Sequence, residues 1–100
     1  PIMDVAFKSY IFSSFLNILD LATSFIDFSV GYTELNNWMG IFHNPYISAT
    51  VAVILFQIIL SVLFLLSILL RNKLGNSWIL VLTFGLTKLY PIINNIIILI

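Results

Sequence analysis

The sequence predicts an all-α integral membrane protein with three transmembrane helices, and three observations carry the prediction. Of its 100 residues, 61% are hydrophobic and 8% charged, and the mean hydropathy is +1.14. A soluble domain carries about 25% charged residues, and small domains bury only about 60% of their unfolded surface, so the surplus apolar side chains must face lipid. Three segments also reach the roughly 20 apolar residues that a spanning helix needs. Finally, the few polar residues inside those segments recur at helical spacing.

The first span is expected from about Ser9 to Val30 and carries Asp20 and Asp27. Before it, Pro1-Ile2-Met3-Asp4 lacks the basic region of a signal peptide, so the segment is expected to be retained. Gly31–Tyr46 follows as an interfacial loop, whose Tyr32, Trp38 and Tyr46 suit the headgroup belt. The second span, Ile47–Leu70, holds no charge; Asn44-Pro45 suits its start and the run Arg71–Asn76, with two cations and Gly75, its stop. The third, Ser77–Ile100, contains Lys88 and Pro91. Pro91 should kink it by freeing a carbonyl near Thr87, and nearby Thr hydroxyls can satisfy such a group. Residues 1–100 are expected to form a single transmembrane domain with spans 9–30, 47–70 and 77–100. Three passes put Lys8, Arg71 and Lys73 on one side, and the positive-inside rule makes that side cytoplasmic. The 31–46 loop and the C-terminus of a multi-pass cell-membrane protein are then external.

Ser13, Asn17, Asp20, Ser24, Asp27, Gly31 and Glu34 are spaced 4, 3, 4, 3, 4 and 3. That spacing lines them along one face of a helix, while Phe15, Leu19, Ala22, Ile26 and Val30 form the other. A carboxylate in hydrocarbon costs at least about 2.5–3.5 kcal/mol, so this stripe must meet protein or water. Counting depth from the span starts puts Asp20, Lys88 and Gln57 at one level near the midplane. We therefore expect an Asp20–Lys88 ion pair with Gln57 and Asn17 as hydrogen-bond neighbours, and Asp27 level with Asn94 and Asn95. A second polar line, Thr83, Thr87, Tyr90 and Asn94, lies about 100° from Lys88 on the third helix. Two polar faces on one helix imply neighbours on two sides, and a three-helix unit covers only one.

The run Asn17-x-x-Asp20-x-x-Thr23, followed by Gly31-x-x-Glu34-x-Asn36, resembles the signature of an uncharacterised family of small prokaryotic integral membrane domains with three spans. Members often carry Pro after that Asn; here Asn37 follows, and the Asn-Pro pair comes later at Asn44-Pro45. The family has no assigned activity. The resemblance implies a three-span fold and a polar functional or assembly role for Asn17, Asp20, Thr23 and Glu34.

The remaining composition narrows function. Four basic and four acidic residues leave no basic patch for a phosphate backbone, so no nucleic-acid partner is expected. There is no cysteine and a single His, His43. That argues against thiol chemistry and a histidine metal site, and Glu34 with His43 make a poor ligand set. No nucleophile motif is present either, so neither enzyme activity nor a cofactor is expected. The expected function is a small non-catalytic accessory or structural subunit of a larger membrane complex, of respiratory or oxidase/monooxygenase type. Its host would be prokaryotic, with archaeal as one option, and the Ile-, Leu- and Asn-rich composition fits an AT-rich genome. Its partners would be the lipid bilayer and other membrane subunits. One alternative is a homo-oligomeric ion or proton channel or transporter lined by the Asp20/Asp27 stripe. Another is a viral or self-assembling membrane structural protein.

Overall fold

The computed structural model describes residues 2–31, 44–70 and 77–100. The chain is all-α: α1 spans Ile2–Ser29, α2 Pro45–Leu69, α3 Trp78–Leu86 and α4 Leu89–Leu99. Three stretches are long and apolar enough to cross a bilayer: Val5–Ser29, Pro45–Leu69, and Trp78–Leu99, which α3 and α4 form together. Glu34, His43, Arg71 and Lys73, with most of the expected interfacial loop and polar turn, lie outside the described residues.

The first helix begins well before the expected Ser9, because Val5, Ala6 and Phe7 extend the apolar face and Lys8 is exposed. It ends where Gly31 takes φ +98°, a left-handed backbone that glycine adopts without strain. The Val30 and Gly31 amides reach back only three residues, to the carbonyls of Asp27 and Phe28. At the start of α2, the Asn44 side chain accepts from the amides of Tyr46 at 2.9 Å and Ile47 at 3.3 Å. Pro45 occupies the first helical position, where its missing N–H costs nothing.

The third span is not one helix. Pro91 has no amide to return to Thr87 and its ring crowds that carbonyl. The Thr87 and Lys88 amides instead bond three residues back, to Phe84 and Gly85, and regular bonding resumes with the Ile92 amide on the Lys88 carbonyl. The Thr87 hydroxyl donates to the Phe84 carbonyl at 2.6 Å. The break therefore sits at the middle of the span, directly before the proline turn.

α1 is the centre of the bundle and packs against α2, α3 and α4, while α2 also packs against α3. Helices α1 and α2 are antiparallel: Phe7 and Tyr10 lie against Phe64, Ser14 against Gln57, and Phe25 and Phe28 against Tyr46. α1 and the third span are parallel, through the pairs Ser13–Val81, Asp20–Lys88 and Ser24–Asn95. The interior is mostly polar. Ser9, Ser13, Asn17, Asp20, Thr23, Ser24 and Asp27 are buried along α1, beside apolar Leu16, Leu60, Val81 and Ile92. The outside is apolar, with Phe15, Ile18, Ile26, Ile58 and Leu65 all more than half exposed. Lipid is as apolar as leucine, so helices here are held by close packing and polar bonds rather than by expulsion from water.

Candidate functional site

The site is the polar seam along α1, and it divides into three levels. At the first, Ser13 is fully buried and donates to the Val81 carbonyl at 3.3 Å. A Cβ on Gly85 would overlap the Ser13 side chain and come within 3.0 Å of its Cα. Glycine at 85 is therefore what lets α3 approach α1 so closely. Across α1 at this level, Gln57 donates to Tyr10 Oη and Ser14 Oγ, both at 3.0 Å. Tyr10 and Ser61 hydroxyls meet at 2.8 Å, and the Tyr10 ring stacks on Phe64.

The second level holds the charges. Lys88 Nζ donates to Asp20 Oδ2 at 2.6 Å, with both side chains nearly buried. The ammonium also lies 4.5 Å from the centre of the Phe56 ring, a position favoured by the ring quadrupole. Lys88 stands at the break between α3 and α4, so its side chain leaves the helix where the backbone is already turned. Asn17, one turn before Asp20, donates to the Val53 carbonyl at 3.0 Å and to Gln57 Oε1 at 3.2 Å. Of the expected neighbours, Asn17 and Gln57 do bond each other, and only the depth of Gln57 needs correction. Gln57 bonds Asn17, Tyr10 and Ser14, and it lies opposite Ser14 rather than Asp20. Tyr46, in the first turn of α2, packs on Phe25 and Phe28 at 5.1 and 5.3 Å. The start of α2 thus lies inside the end of α1, a register shifted from the one counted by depth.

At the third level, Asn95 Nδ2 donates to Thr23 Oγ1 at 2.9 Å and Ser24 Oγ at 3.1 Å. Thr23 also donates within its own helix, to the Leu19 and Asp20 carbonyls. Asn95 thus sits a turn closer to Asp20 than the expected level with Asp27. Asp27, Ser24 and Ser48 are buried and engaged. Among the described residues, no three Asp, Glu, His or Cys side chains gather as metal ligands do.

Thr83, Thr87 and Tyr90 are exposed on the outer side of α3 and α4, and Asn94 is half-buried. Tyr90 is 73% exposed close to the centre of its span.

Several participants are not evident from the stripe alone: Tyr10, Ser14, Ser61, Phe56, Gly85 and the Ser67–Ser77 contact, where Ser77 Oγ donates to the Ser67 carbonyl at 2.7 Å. The pairs Tyr10/Ser14 and Gln57/Ser61 are spaced four apart and signal shared faces. Phe56 and Gly85 give no signal of their own in an apolar helix. Compared with known family models, with curated proteins and with solved structures, the chain matches none.

Proposed function

We propose that the chain is a non-catalytic structural subunit of a larger membrane-embedded assembly. Its inner polar seam locks the local bundle, and Thr83, Thr87 and Tyr90 of the outer line meet a neighbour, whereas the Asn94 amide nitrogen is buried within the chain. One observation carries the reading. Tyr90 projects outward, 73% exposed, near the middle of a span, whereas lipid-facing tyrosines belong at the headgroup level. A protein neighbour removes that mismatch; bare lipid does not. The inner seam supports the same reading, because Ser13, Asn17, Asp20, Thr23 and Ser24 each make a hydrogen bond within the chain. The proposed orientation places Lys8 and residues 71–76 on the cytoplasmic side of the cell membrane, by the positive-inside rule.

Native purification in mild detergent tests the assignment: the chain should migrate in an assembly, and Tyr90→Ala should release it. A competing channel reading rests on the buried oxygens Asn17 Oδ1 and Asp20 Oδ1, which have no hydrogen-bond partner among the described residues. Proton flux in liposomes that is lost in Asp20→Asn, with the oligomer intact, would establish that reading and remove ours.

A further inference from the structure

The outer polar line is confined to one side of the molecule. At comparable depth the outward faces of the other helices carry Phe12, Phe15 and Ile18 on α1, and Ile54, Leu55 and Ile58 on α2. None of these can hydrogen-bond a neighbour. On the α3–α4 side, by contrast, two side chains offer complementary chemistry. The Thr87 hydroxyl hydrogen is already committed to the Phe84 carbonyl at 2.6 Å, which leaves its oxygen as an acceptor. The Tyr90 hydroxyl, three residues on and facing outward, is available as a donor.

We infer that this face pairs with the same face of a second copy of the chain, across a two-fold axis along the membrane normal. This rests on the assembly reading above and names the neighbour. Two copies inserted in one orientation present every residue at the same depth. A two-fold contact sets position i against j and j against i. Tyr90 of each copy then donates to Thr87 Oγ1 of the other, so one face supplies both halves of a reciprocal pair. The face carries no charge, so its self-association meets no like-charge repulsion. Ile97, 63% exposed one turn beyond Asn94, continues the contact toward the end of α4.

The chain has no cysteine, so single-cysteine cross-linking in native membranes reads the contact directly. Ile97→Cys, and separately Thr83→Cys, should each cross-link to a second copy. Ile58→Cys, equally outward on α2 at 55% exposure, should not. In the Ile97→Cys background, Tyr90→Phe and Thr87→Val should each lower the dimerisation constant by roughly tenfold, since each removes both symmetric bonds. Thr87→Ser, which keeps the acceptor, should restore it. Cross-linking at position 58 as strong as at 97, or no response to Tyr90→Phe, overturns the two-fold pair. If positions 83 and 97 stay monomeric while Tyr90→Phe detaches a different membrane protein, the second copy is excluded and the assembly reading stands. A chain that purifies alone, indifferent to Tyr90→Phe, removes both.

Discussion

The two halves of the third span are held to the bundle by different means. α3 lies against both α1 and α2 and is held by close approach. Gly85 admits Ser13, Phe84 stacks on Phe56 at 4.3 Å between ring centres, and Ser77 bonds the Ser67 carbonyl. α4 packs chiefly on α1, and the polar side chains of Lys88, at its start, and Asn95 bond α1. Both are answers to a solvent that gives helix pairs no hydrophobic drive. On α3 the missing side chain is the essential feature; on α4 and at its start, polar side chains are. The two halves should therefore fail under different substitutions.

The largest effect is expected at the charge pair. Asp20→Ala leaves Lys88 buried without its counter-ion and should cost about 3–5 kcal/mol in an SDS-unfolding titration followed by circular dichroism. Because direct contact is what matters, Asp20→Lys combined with Lys88→Asp should recover most of the loss. No recovery in the double variant would count against the contact. Next comes the close approach at α3. Gly85→Ala should destabilise by about 1–3 kcal/mol through overpacking, and adding Ser13→Gly should return part of it. If Gly85→Val unfolds no earlier than the parent, the proposed tightness of this half is wrong.

Asn95→Ala sharpens the comparison, since it should act on one half alone. The loss expected is about 0.6–1.7 kcal/mol, the range for single polar contacts between membrane helices. Hydrogen exchange should rise over residues 89–99 and stay unchanged over 78–86; equal rises in both would merge the halves into one unit. The smallest effect belongs to the lipid-facing shell. Ile58→Val touches no contact described above and should stay within about 0.5 kcal/mol of the parent.

How much of this was legible differs by element. The inner stripe was readable because a helix repeats every 3.6 residues, and Ser13, Asn17, Asp20, Ser24 and Asp27 are all buried. Depth counting put Asp20 beside Lys88, which are in contact, because α1 and the third span run parallel and their depths are counted from the same side. The same counting misplaced Gln57. In an antiparallel pair the register depends on how the connection returns, and here Tyr46 at the start of α2 lies against Phe25 and Phe28, short of the end of α1. Phe56 and Gly85 were unreadable for another reason: ring-over-ammonium and glycine-against-serine contacts belong to the meeting of two helices, not to either one.

Composition and periodicity by themselves determined that this chain is all-α, that it has three stretches able to span a bilayer, and which face of α1 turns inward. These follow from local terms: transfer of side chains to lipid, satisfaction of backbone polar groups within a helix, and helical repeat. Only the tertiary structure decided the register of α2, the partners of Gln57 and Asn95, and the division of the third span into a half seated through glycine and a half held by polar bonds. Those depend on distances between helices, fixed by side-chain volumes from segments far apart in sequence. A residue such as Gly85 records its role only when Ser13 stands against it.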